Sequence, residues 1–171
     1  LATVERYAVE NSRFLESHGI KLLVVACNTA SALALPAIRT AVKVPVVGVI
    51  EPGARAAVAT TGTTRQIGVI ATEATVQSHA YSKAIAAIDP AISVIEKACP
   101  LFVSLAEEGW ADSDVARMVA RDYLSELKGR SIEAVVLGCT HYPILRNVIA
   151  DAVGFDVKLI DSGEATAGEV E

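Results

Sequence analysis

One short device occurs twice in this chain: an apolar run, a small residue, a cysteine, then polar residues that open a helix. The first copy is Leu22-Leu23-Val24-Val25-Ala26-Cys27-Asn28-Thr29-Ala30-Ser31, and the second is Val135-Val136-Leu137-Gly138-Cys139-Thr140-His141-Tyr142-Pro143. Short apolar runs between helical patterns read as buried strands, so each cysteine is expected just past the carboxyl end of a strand. Open α/β sheets bind ligands at that edge. The Asn/Thr or Thr/His pair that follows can cap the next helix. Backbone N–H groups and the positive end of the helix dipole then face the same spot. A thiol there is expected to have a lowered pKa and to act as a thiolate. Two such thiols from two similar units imply a site with a reactive sulfur on each side of its ligand.

The rest of the chain alternates helix and strand. Strands are expected at 22–26, 45–49, 66–71, 92–95, 132–137 and 157–160. Helices are expected up to residue 17 and at 29–42, 52–60, 73–88, 113–127 and 143–153, with a further helical stretch from 165. Residues 99–110, which carry Cys99-Pro100-Leu101-Phe102-Val103 and Glu107-Glu108-Gly109-Trp110, read as a loop. The strands are Val/Ile/Leu runs without alternation, as expected when helices cover both faces. Repeated βα units imply parallel sheets. The fold class is therefore α/β, with two similar parallel-sheet βα domains and the site in the cleft between them. The small polar stretch Thr60-Thr61-Gly62-Thr63-Thr64 divides them. The domains are expected at 1–62 and 63–159, with 160–171 returning to the first. Leu1, Val4, Ala8, Phe14 and Leu15 read as an amphipathic helix already under way, with no strand before it, and the last residues stop inside a helical stretch. Both ends thus read as cut, and the chain as the middle of a longer protein.

Composition narrows the function classes. The net charge is −5 and the basic residues are scattered, which argues against a nucleic-acid face. No apolar run reaches the length of a membrane span, and no signal segment opens the chain. Three cysteines without close pairs argue against a disulfide framework and fit a reducing cytoplasm. The sequence lacks C-x-x-C, H-E-x-x-H, G-x-S-x-G, Walker A and G-x-G-x-x-G motifs. Three dispersed histidines without a carboxylate cluster argue against a metal site.

The residues themselves nominate a site. Cys27 and Cys139 share one position in the duplicated unit, which favours a joint catalytic role over two buried thiols. His141, two residues beyond Cys139, can serve as base or as imidazolium partner, or simply pack as a capping histidine. Of Glu107 and Glu108, at least one is a solvated charge. Thr72 and Thr75 follow a strand and are equally suited to a ligand carboxylate or to a helix cap. Cys99 reads as structural, and His18 and His79 as incidental.

The runs around the cysteines resemble those of the cofactor-independent aspartate/glutamate racemases, specifically the glutamate racemases. Supporting stretches are Gly48-Val49-Ile50-Glu51-Pro52-Gly53, Ile67-Gly68-Val69-Ile70-Ala71-Thr72 and Ala98-Cys99-Pro100-Leu101-Phe102-Val103. The histidine after Cys139-Thr140 favours glutamate, since aspartate racemases of this kind typically carry Glu there. The resemblance implies interconversion of L- and D-glutamate by two opposed thiols, Cys27 acting on the D-enantiomer and Cys139 on the L-enantiomer. His141 would assist Cys139, and Glu107 would orient His141. Asn28, Thr29, Thr72, Thr75 and Thr140 would bind the amino and carboxylate groups. It further implies no metal or other cofactor, a small-molecule partner only, a cytoplasmic location, D-glutamate supply for peptidoglycan and compatibility with a homodimer.

Two departures stand out. The family opens on a strand followed by Asp-Ser-Gly, which this chain lacks, as it lacks a Pro-Tyr-Gly loop. Asp161-Ser162-Gly163 has the same letters but follows a late strand and is not given that role. Ser104 stands where the family often has Pro. An aspartate or hydantoin racemase, a related decarboxylase, or an amino-acid-binding module without catalysis are the alternative readings.

Overall fold

A computed structural model describes residues 2–170; Leu1 and Glu171, placed above in the terminal helices, lie outside the described residues. The helices α1 (Ala2–Ser17), α2 (Asn28–Ala41) and α3 (Ile50–Thr60) alternate with β1 (Leu23–Val25) and β2 (Val46–Gly48). Then follow β3 (Gln66–Ala71), α4 (Glu73–Ser78), α5 (Ala80–Ile88), β4 (Ser93–Ala98), α6 (Leu101–Glu107), α7 (Asp114–Lys128) and β5 (Ala134–Gly138). A 3-10 turn (Tyr142–Leu145), α8 (Arg146–Val153), β6 (Lys158–Asp161) and α9 (Ser162–Val170) complete the described chain. The fold is α/β with parallel strands throughout: β1 pairs with β2, and a second sheet has the order β4-β3-β5-β6.

The unalternated apolar runs are explained by the second sheet. β3 and β5 are its central strands, and every residue of β5 is buried. Ile70, Val135 and Leu137 face Phe102, Leu124, Leu145 and Ile149 of α6, α7, the 3-10 turn and α8. Ile67, Val69 and Val136 face Ala54, Tyr81 and Ile85 of α3 and α5. A strand between two helical layers needs apolar side chains of both parities. β1 departs from this pattern. It packs with Ile38 and Val42 through Leu23, but Val24 is 41% exposed, so the first sheet is covered on one face among the described residues.

Four further expectations are corrected. The single helix at 73–88 is two helices, because His79 takes a left-handed conformation (φ 54°). Ser78 Oγ donates to the Thr75 carbonyl and accepts from Ala80 N–H, so a serine side chain interrupts the helical ladder. The expected loop at 99–110 contains α6, because burial of Phe102 and Leu105 fixes one face of a pattern too short to read. The strand expected at 92–95 runs Ser93–Ala98, since every residue pairs in register with β3. The last helix starts at Ser162 rather than 165, its first N–H groups taken by Asp161 Oδ1.

The stretch at 60–64 is held by one carboxylate. Glu133 accepts from Gly62 N–H at 2.8 Å and Thr64 N–H at 3.1 Å. These bonds, that from Thr64 foremost, hold the Glu133 carboxyl below its ordinary pKa. A depressed carboxylate stabilises the fold above its unfolded pKa and loses that effect as pH falls through the folded value. Glu133→Gln should therefore melt earlier than wild type at pH 7, with the gap closing as the pH drops below the usual carboxylate range. A gap independent of pH would show that the charge is not what holds the loop.

Candidate active site

The site forms where the central strands of the second sheet end. Ala71 of β3 and Gly138 of β5 are paired, so Thr72 and Cys139 leave the sheet side by side. Thr72 accepts from Thr75 N–H at 3.4 Å and caps α4. Its hydroxyl also lies 3.0 Å from that of Thr75 and 2.9 Å from that of Thr29, while Thr29 and Thr75 are 3.0 Å apart. Three hydroxyls thus form a triangle at the first turns of α2 and α4. The cap and the ligand-facing hydroxyl, weighed as alternatives for Thr72, are compatible: one oxygen accepts the backbone N–H and still reaches its neighbours.

Cys27 is exposed at the start of α2 and is itself the N-cap, its sulfur accepting from Ala30 N–H at 3.5 Å. Neither Asn28 nor Thr29 fills that position. Cys139 is buried, with Sγ 3.7 Å from His141 Nδ1. On the far side of the same ring, His141 Nε2 lies 3.2 Å from Glu107 Oε1. Glu107 is the last residue of α6, so the helix missed in the sequence is what carries this carboxylate to the histidine. Thr140 is exposed beside them.

The lowered thiol pKa expected at both turns is overturned at Cys139. Burial pushes that thiol up. The backbone N–H of His141 opposes this, a charge on Cys27 adds to it, and Thr140 opposes it again. The second turn leads into a 3-10 turn and not directly into an α-helix, so little dipole is available to offset desolvation. The Thr29 hydroxyl, two residues beyond Cys27, meets those of Thr72 and Thr75 beside the paired ends of β3 and β5, which brings the Cys27 turn next to the Cys139 turn. Cys99 is fully buried, and its thiol is pushed up to about 12, chiefly by desolvation.

Asn28, expected to meet the ligand, is only 2% exposed. Its Oδ1 accepts from Tyr81 Oη at 2.6 Å and its Nδ2 donates to Ser162 Oγ at 3.2 Å. The amide is thus committed to the protein interior. Nothing local in the sequence singles out Tyr81 or Ser162: a tyrosine within an apolar helix carries no signal, and Asp161-Ser162-Gly163 follows a late strand. His79 Nδ1 pairs with Glu96 Oε2 at 2.6 Å. A groove of about 500 Å³ between α2, α3 and α5, lined by Leu35, Arg39, Arg55 and Ile88, touches neither cysteine and is not the thiol site. Among the described residues there is no cluster of metal-ligating side chains.

Known proteins resemble this chain in sequence and fold. A glutamate racemase from Geobacter metallireducens is 57% identical over 165 residues, covering 96% of this chain and 61% of the relative. The crystal structure of glutamate racemase isoform RacE1 from Bacillus anthracis superposes with a TM-score of 0.94 at 40% identity, covering 99% of this chain and 63% of that one. A glutamate racemase from Francisella tularensis, solved with D-glutamate, gives 0.91 at 38% identity, covering 99% and 62%. The chain therefore spans about three-fifths of the length of the relatives it matches. The family model for Asp/Glu/hydantoin racemase matches residues 2–170. That match takes in both cysteine turns and all that lies between them, and the chain belongs to the Asp/Glu/hydantoin racemase family.

Proposed function

We propose that this chain supplies the two-thiol site of a glutamate racemase, which interconverts L- and D-glutamate by proton transfer at the α-carbon. The observation that carries the reading is the relay Cys139–His141–Glu107, beside a Cys27 turn that meets the same sheet edge through Thr29, Thr72 and Thr75. A two-base racemase needs one thiolate and one thiol at the same moment. Like charges on neighbouring groups disfavour each other, so two thiols at one site favour one anion and one neutral partner. His141 can take up the proton of Cys139, and the Glu107 carboxylate favours the imidazolium that results.

Cys139 then removes the α-proton of L-glutamate while Cys27 delivers a proton to the opposite face, and the roles exchange for D-glutamate. The hydroxyls of Thr29, Thr72, Thr75 and Thr140, with the first N–H groups of α2, bind the carboxylates and the amino group. Preorganised donors of this kind stabilise the carbanion-like state that an amino acid reaches only at high cost. Asn28, whose amide also bonds Tyr81 and Ser162, stands with these groups in the proposed binding of the substrate. We read the site as lying between residues 1–62 and 63–159, with 160–171 returning to the first part; the packing of α9 on α3 supports the return. The product D-glutamate would serve peptidoglycan synthesis in the cytoplasm.

The test is α-proton exchange by the full-length gene product in heavy water, without added metal or pyridoxal phosphate. L-glutamate should gain deuterium at the α-carbon and lose optical activity, with aspartate turning over far more slowly. No exchange would favour an amino-acid-binding module. Faster exchange with aspartate would move the substrate assignment elsewhere in the family.

A further inference from the structure

Tyr81 stands where the two cysteine turns meet, and the chemistry above does not use it. It is fully buried at the start of α5, directly after the left-handed break at His79. Its hydroxyl donates to Asn28 Oδ1 at 2.6 Å, and Asn28 immediately follows Cys27. Its ring lies against the other turn: a Cβ at Gly138, the residue before Cys139, would sit 3.2 Å from Tyr81 Cε2. Asn28 continues the connection by donating to Ser162 Oγ at 3.2 Å. Ser162 Oγ in turn lies 3.4 Å from the carbonyl of Leu137, two residues before Cys139. Gly53 of α3 leaves room for this cluster, since a Cβ there would come within 3.1 Å of Tyr81 Oη and 3.2 Å of Ser162 Cβ.

We propose that Tyr81 and Ser162 are positioning residues that set the separation between the Cys27 and Cys139 sulfurs. The inference rests on the two-thiol racemase reading. Two opposed proton transfers at one carbon require both sulfurs at bonding reach of the same atom, so their spacing is part of the mechanism. Apolar packing alone tolerates small slides, whereas buried hydrogen bonds are satisfied in one arrangement and are costly to break. Burial holds the Tyr81 phenol well above its ordinary pKa, so it remains a donor to Asn28 across the working range. The cluster thus ties the turn of one thiol to the strand of the other through three side chains and the Leu137 carbonyl.

The experiment compares two reactions of the full-length gene product carrying Tyr81→Phe or Ser162→Ala. Racemisation of glutamate needs both thiols. Elimination of HCl from either enantiomer of 3-chloroglutamate needs one: the thiolate takes the α-proton, the electron pair forms the Cα=Cβ bond, and chloride leaves. The resulting enamine hydrolyses to 2-oxoglutarate and ammonia, which are measured. Racemisation should fall about tenfold or more in kcat/KM while elimination falls less than about threefold, as expected for misplacement of one thiol relative to the other. The racemisation loss must be equal in both directions, because the two enantiomers have the same free energy. Loss of both reactions by one factor, or of neither, overturns the proposal. If Tyr81→Phe does not fold, Ser162→Ala decides by the same ratio. A wild-type protein that racemises no glutamate fails the underlying reading and takes this inference with it. A wild type that racemises while the variants keep the ratio overturns this inference alone.

Discussion

Serine at either cysteine should nearly abolish racemisation by the full-length gene product. A serine hydroxyl is far too weak an acid to form the required anion, and each turnover needs one base and one acid. The loss should be on the order of 10²- to 10⁴-fold in kcat/KM, the usual contribution of a positioned acid or base. One-sided chemistry should survive. Cys139→Ser should still eliminate HCl from the D-enantiomer of 3-chloroglutamate, and Cys27→Ser from the L-enantiomer. The Cys27 variant should show a further change. Charge on Cys27 raises the Cys139 pKa, so removing that thiol should move the Cys139 ionisation to lower pH. The pH dependence of L-enantiomer elimination measures that shift. A single variant that racemises at the wild-type rate would refute the two-thiol mechanism for this protein, and an unchanged profile would refute the coupling.

Gly138→Ala should damage both fold and activity, although it adds a single methyl group. The new Cβ would lie 2.9 Å from the Ile70 carbonyl oxygen, 3.0 Å from Ala71 Cβ and 3.2 Å from the Tyr81 ring. Two of these neighbours belong to the adjacent central strand, which cannot retreat without disturbing the sheet. Glycine-to-alanine changes at relaxed positions stabilise by about 0.4–1 kcal/mol through the unfolded chain. Here overpacking should reverse the sign, at a cost of about 1–3 kcal/mol. Because Cys139 is the next residue, the shift reaches its sulfur, and kcat/KM should fall by about tenfold to a hundredfold. Thermal melting and steady-state racemisation of the full-length gene product measure the two effects. Unchanged stability would mean that the strands at Ala71 and Gly138 yield more readily than their buried surroundings suggest.

Much of this molecule is written locally. The runs that became β3 and β5 were legible because central parallel strands need apolar side chains of both parities, a condition visible in a few consecutive residues. The cysteines after β1 and β5 and the short step from Cys139 to His141 are legible because each lies within a few consecutive residues. Elements whose identity depends on a distant partner were not. α6 is a helix because Phe102 and Leu105 find a core built by α7 and the 3-10 turn. The helical phase across His79 hid a break made by one serine and one left-handed residue. The sequence proposed Glu107 for His141 only by resemblance; the ion pair itself forms because α6 ends beside the second turn. Asn28 reads as a ligand residue from its position after Cys27, and only the arrival of Tyr81 and Ser162 from far along the chain turns its amide inward. Cys139 shows the division most plainly. Local pattern implied a helix end and a lowered pKa, while the enclosing structure buries the thiol and raises it. Sequence patterns therefore determined which residues lie at the sheet's edge; burial, which depends on how all the elements close over that edge, decided their chemistry.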